Sequence, residues 1–269
     1  MSSPVQSAPP APNDDPLTIC AISLVSAMLA TVLHEGLGHA AIALLTGARS
    51  GVLSTVAWSS AFESRLVAAG GTLVNLAAGL ICWLVLRGAK NLSAHGRLFF
   101  YTSLAFNAFT GTGYFFFSGV TNFGDWQQVI APMYPHWLWR TLLVAVGIGL
   151  YYGAIRMVGG SLVRHVGVRL DDARRWRRLA FIPYFSAVAV LAAGGIFNPA
   201  GIQYVWLSAL PASAGADSGF LWMRYYIPKD TLPKRGAPAV ARSYAWIVVA
   251  ATATLGFVIV LGRGIALHR

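Results

Sequence analysis

Six long apolar runs, at 17–46, 66–86, 98–120, 137–157, 179–196 and 244–261, restrict this chain more than any other feature. A helix needs roughly 20 apolar residues to cross the hydrocarbon core of a bilayer. Inside that core every backbone N–H and C=O must find its partner within the protein, which favours helices for runs of this length. Composition agrees, because only 11% of residues are charged and 56% are hydrophobic. An ordinary soluble domain carries about 25% charged residues. The expected fold is therefore all-α, a polytopic transmembrane helical bundle.

The first run, thirty residues long, exceeds a single crossing and implies tilt or a projecting end. The third, with FFYTSLAFNAFTGTGYFFF at its centre, mixes bulky and small residues as packed membrane helices do. FNPAG at 197–201 interrupts the chain after the fifth run, and QYVWLSALPASAG follows. That piece reads either as a helix broken from the fifth or as a re-entrant segment. The count is six spans, with five and seven as its neighbours. The first sixteen residues are polar, rich in Pro and without Lys or Arg, and are expected to form a disordered tail before an integral membrane domain at 17–269. The first apolar run is too long for the core of a cleaved signal and is expected to be retained.

The net charge of +11 does not point to nucleic acid, because the basic residues lie between apolar runs and are not interleaved with aromatic platforms. Their distribution instead orients the bundle. Arg87, Lys90 and Arg97 follow the second run, and Arg164, Arg169, Arg174, Arg175, Arg177 and Arg178 follow the fourth. Alternating spans put both groups on one side, expected to be cytoplasmic by the positive-inside bias. The segment 121–136 has no Lys or Arg and falls opposite; 47–65, with Arg49, Arg65 and Glu63, falls there too. The N-terminus is then cytoplasmic, in a plasma or inner membrane, with the lipid bilayer as constant partner. Cys20 and Cys82 lie in apolar stretches with no paired spacing and read as inert thiols.

Chemistry concentrates at the end of the first run, in His34-Glu35-Gly36-Leu37-Gly38-His39. Three ionisable side chains within six residues of an apolar span are costly there and mark a functional site. Two histidines flanking a glutamate are the ligand pattern of a zinc hydrolase, but the usual spacing is four and here it is five. Five residues of α-helix turn through about 500°, which leaves the second histidine about 140° off the face of the first. A π-type widening of the turn would return both to one face, and Gly36 and Gly38 permit it. The sequence therefore predicts a wide turn over 34–39. Glu35 is the candidate general base, taking a proton from the water that attacks a carbonyl.

A zinc site needs a third protein ligand. Asp125, in TNFGDWQQ, lies just past the third run, on the membrane side that His34 and His39 approach. His136 and His95 are weaker candidates, the latter on the opposite side. Asn75, in AAGGTLVNL, sits early in the second run on the same side as the histidines. It reads either as a helix-to-helix hydrogen bond or as a donor to an oxyanion. Gly70 and Gly71 allow close helix approach.

These residues resemble the site-2 protease superfamily of M50-like intramembrane zinc metalloproteases. HEGLGHAAIALLTG at 34–47, the asparagine-bearing second helix and GDW at 124–126 carry the resemblance, which spans roughly residues 20–130. The chain has HExxxH where the family has HExxH, and FGD where it has LDG. The resemblance implies Zn²⁺ held by His34, His39 and Asp125, with Glu35 as catalytic base and Asn75 assisting the transition state. It further implies an endopeptidase acting on membrane proteins or membrane-associated peptides. Two other classes fit the same residues: a zinc-binding membrane scaffold without hydrolysis, and a cation or proton transporter using His34, Glu35 and Asp125 as a relay.

Overall fold

The computed structural model describes residues 13–199, 201–234 and 238–269. The chain is a multi-pass helical bundle. Helix α1 (Pro16–Val32) runs without interruption into a π-helical turn (Leu33–Ala41) and then α2 (Ile42–Thr46). The other long helices are α3 (Arg65–Gly88), α4 (Ala94–Thr121), α6 (His136–Ser161), α7 (Ala173–Ile196) and α9 (Tyr244–Leu255). Short helices α5 (Asp125–Ile130) and α8 (Gly219–Trp222) complete the set.

Among the described residues, five continuous helical segments are long and apolar enough to cross a membrane: Pro16–Thr46, Arg65–Gly88, His136–Val166, Ala173–Ile196 and Tyr244–Leu261. Helix α4 is as long as these but more polar, and its buried positions include Ser103, Asn107 and Thr112. It packs against α1, α3 and α6 at the centre of the bundle. Several polar side chains there bond within the protein. Ser26 and Thr102 hydroxyls bond across α1 and α4 at 2.7 Å, and Ser186 donates to Cys20 Sγ from α7 to α1. Such bonds hold membrane helices together where lipid gives no hydrophobic drive for their association. The outer faces stay apolar: Leu80, Ile81 and Leu84 on α3, Ile148 on α6 and Val248 on α9 are all exposed.

After α7 the chain does not form another regular span. Residues 205–226 return through short π, 3₁₀ and α turns (Val205–Ala209, Pro211–Gly215, Ala216–Ser218, Gly219–Trp222 and Met223–Tyr226). Ser208 donates to the Val56 carbonyl near one end of the bundle, and Arg224 donates to the Leu170 carbonyl near the other. The broken segment thus carries the chain back between α7 and α9. The expected interruption at 197–201 falls at the end of α7, whose C-cap is Phe197.

Arg175, Arg178 and Arg242 meet the first described residues at one end. The buried guanidinium of Arg175 binds both carboxylate oxygens of Asp14 at 2.8 and 3.2 Å and also the Pro238 carbonyl. His95 bonds the Ala241 carbonyl there. Residues 1–12 of the expected disordered tail lie outside the described residues. Residues 13–16, assigned to the same tail, instead belong to the bundle: Asp14 is 1% exposed and Asp15 caps α1 through Thr18 N. Their acidic side chains meet arginines that are distant in sequence, which composition alone does not reveal.

The opposite end carries a feature absent from the sequence reading, a three-stranded antiparallel sheet. Its order is β2 (Trp58–Ser59), β1 (Ser50–Leu53), β3 (Ile265–His268). Val52 pairs with Ser59 on one side and with Ala266 on the other. The sheet joins the segment after α2 to the C-terminal residues, and so closes the bundle over the histidine motif.

Candidate metal centre

The π-helical turn at Leu33–Ala41 contains the whole motif. Its extra residue per turn brings His34 and His39 onto one face, with ring centroids 4.8 Å apart. This is the wide turn expected from the five-residue spacing. A π segment is also a common mark of a functional position, because it sacrifices regular hydrogen bonding for side-chain placement.

Helix α3 lies directly against this turn. An added Cβ at Gly38 would overlap Gly71 Cα, and one at Gly71 would sit 2.5 Å from Nε2 of both His34 and His39. The three small residues Gly38, Gly70 and Gly71 therefore let the two backbones meet and leave the imidazole Nε2 atoms room to converge.

Asp125 arrives from the other direction, at the first position of α5. Gly124 precedes it with φ +84°, a left-handed conformation that lets the chain reverse from α4 into the site. Trp126 anchors the next position: its Nε1 donates to Thr72 Oγ1 at 3.1 Å and its ring stacks on Phe115. Asp125 Oδ2 then lies 3.2 Å from His34 Nε2 and 3.4 Å from His39 Nε2. The structure thus brings His34, His39 and Asp125 into one buried cluster whose ligand atoms lie within 4.8 Å of one another.

The surrounding hydrogen bonds identify these atoms. His39 Nδ1 contacts the Val67 carbonyl at 2.7 Å. A carbonyl only accepts, so Nδ1 carries a proton, and in the neutral imidazole Nε2 then presents a lone pair. His34 Nδ1 contacts Asn75 Oδ1 at 2.5 Å. Asn75 is oriented by its amide nitrogen, which donates to the Ala30 carbonyl at 3.1 Å and to Asn107 Oδ1 at 2.8 Å. Asn107 is in turn oriented by its donation to the Ser103 carbonyl. Asn75 Oδ1 must then accept from His34, leaving His34 Nε2 a lone pair as well. With both imidazoles neutral, two Nε2 lone pairs and a carboxylate oxygen converge. His34 Nε2 and Asp125 Oδ2 are buried without a hydrogen-bond partner.

Three converging acceptors repel one another unless a cation lies between them. The donor set, two imidazole nitrogens and a carboxylate oxygen, can hold a metal ion such as zinc. Tetrahedral bonds of about 2.0–2.1 Å imply ligand separations of about 3.3–3.4 Å, close to the two distances observed. Both imidazoles also have the outer hydrogen bonds that metal-binding histidines keep.

Glu35 is 6% exposed and does not join the cluster. Its Oε2 accepts from the Trp58 amide of β2 at 3.0 Å. It lines a cavity of about 1030 Å³ together with His39, Asp125, Trp58, Tyr114 and residues of the broken segment such as Leu207 and Trp222. Tyr114 also stacks on His34 at 4.9 Å. His136 bonds Asn122 and His95 bonds Ala241, so neither weaker candidate approaches the centre. Sequence reasoning missed Asn107, Tyr114 and Trp58. Asn107 carries the signal used for Asn75, an amide in an apolar run. The other two carry none, since the site uses an aromatic face and a backbone N–H.

No protein-family model matches the chain, no curated protein matches it significantly, and no solved structure does.

Proposed function

We propose that the protein is a zinc-dependent intramembrane endopeptidase acting on membrane-spanning or membrane-associated polypeptides. The observation that carries this reading is the convergence of two imidazole nitrogens and a carboxylate oxygen beside a buried glutamate, on the wall of a cavity of about 1030 Å³. His34, His39 and Asp125 are the residues that would hold the ion, and Glu35, Trp58 and Asn75 serve the reaction. Zinc, when bound, would polarise a peptide carbonyl and acidify water.

The remaining steps belong to the chain. Glu35 takes a proton from the attacking water as the carbonyl carbon–oxygen bond forms. It returns that proton to the leaving nitrogen as the C–N bond breaks. The Trp58 N–H holds the Glu35 carboxylate in place before substrate arrives. Asn75 acts in this reading by orienting His34, because both of its amide hydrogens are already engaged by Ala30 and Asn107.

The test begins with metal. Detergent-solubilised wild type, purified without chelators, is expected to carry near one zinc per chain, and Asp125→Ala to lose it. Membranes containing wild type or Glu35→Gln are then compared for cleavage of a panel of transmembrane peptides. Glu35→Gln should keep its zinc and lose cleavage. Equal cleavage by both proteins would sink the mechanism, and a wild type that takes up no zinc after reconstitution would remove its basis.

A further inference from the structure

Next to the metal centre lies a second, much smaller chamber of about 30 Å³ that shares His34 with it. His34, Glu35 and Tyr114 line it on the site's side, and Thr55, Ser208 and Asp217 on the far side. Glu35, Tyr114, Ser208 and Ala212 line both this chamber and the large cavity, so they form the partition between the two.

Two buried atoms on its wall lack a partner. Thr55 Oγ1 and Asp217 Oδ1 make no hydrogen bond, although Thr55 is 4% and Asp217 2% exposed. A buried carboxyl oxygen left unsatisfied is costly, and native proteins rarely tolerate one without a bridging group. The chamber exceeds the roughly 10–15 Å³ that one water requires, and it offers the polar partners a water needs. Asp217 is also firmly placed. The Tyr151 hydroxyl donates to the Ala216 carbonyl and accepts from the Gly219 amide, bracketing the residue on both sides.

We propose that this small chamber is a hydration site, in which water bridges Thr55 and Asp217 and reaches Glu35 from the side opposite the substrate cavity. The supply role rests on the hydrolase reading. Hydrolysis consumes one water per bond, and a polypeptide seated in the large cavity blocks the front approach. The chamber keeps a water beside Glu35 while the front is filled. Asp217 and Thr55 are positioning residues for that water and touch no substrate.

Radiolytic hydroxyl-radical footprinting of the full chain in detergent reads the water directly. Phe106 and Leu191 line the chamber but are 1% and 7% exposed. Rapid labelling of both in wild type is expected, falling to background in the Thr55→Val, Asp217→Leu double variant. Asp217→Asn keeps an oxygen acceptor and should retain the label, which separates loss of water from misfolding. Absence of label at both residues in wild type, or label unchanged in the double variant, overturns the hydration site. On a peptide that wild type cleaves, the double variant should keep its zinc and KM and lose kcat. Unchanged kcat overturns the supply role. Labelling as expected in a chain that shows no zinc-dependent cleavage leaves the hydration site standing and refutes the supply of Glu35, so the two readings fail separately.

Discussion

At the residue scale, the centre is defined by where protons sit. Val67 and Ala30 carbonyls can only accept, and each forces a donor to face it. From those two contacts the orientations of His39, Asn75 and His34 follow in sequence. Asn75→Ala removes the acceptor that holds His34 Nδ1–H and leaves a cavity beside it. Zinc affinity is expected to fall about 10–100-fold, the usual cost of losing an outer partner of a ligating histidine. Competition with a calibrated chelator measures this, and affinity equal to wild type would show that His34 is oriented by other contacts. Glu35→Gln is the complementary case, because it changes chemistry next to the ligands without removing one.

At the scale of elements, the π-helical turn and α3 work as a pair. The turn widens by one residue to align the histidines, and α3 meets it at Gly70 and Gly71 without side chains in the way. Gly71→Ala places a methyl group 2.5 Å from both Nε2 atoms. Either the imidazoles rotate away or the helices separate, and zinc binding should be abolished while the bundle still assembles. Metal analysis beside a size-exclusion profile distinguishes that outcome from misfolding. Full zinc occupancy in this variant would mean that the ligand atoms meet elsewhere. The short strand β2 is the other element with a chemical task, because its Trp58 N–H is the hydrogen bond that fixes Glu35.

For the whole molecule, the two ends of the bundle do different work. One end holds the centre, roofed by the sheet that unites residues 50–59 with the C-terminal strand. The other end is tied by Asp14 and Arg175, which are distant in sequence and both buried. Removing one member of a buried pair strands the other charge, at a cost of about 3–5 kcal/mol. Asp14→Ala is therefore expected to lower the thermal midpoint of the detergent-solubilised protein clearly. Zinc content at low temperature should stay unchanged, since the pair lies at the end away from the metal. Loss of zinc together with stability would show that the two ends are coupled.

The apolar runs and the HEGLGH spacing were sufficient to specify a membrane bundle, a widened turn and a metal-binding pattern. Both rest on local rules: how many apolar residues cross a bilayer, and how far a helix rotates per residue. The approach of Asp125 was legible from topology because alternating spans leave few places for a loop to lie. Other features depended on contacts between distant segments. The sheet needs strands of two to four residues, too short to show a period, paired across more than two hundred positions. Asp217 follows the broken piece QYVWLSALPASAG, and only the return of that segment into the bundle buries it. The partners of Asn75 were likewise decided by packing, because an amide can serve as ligand support or oxyanion donor until its neighbours take its hydrogens.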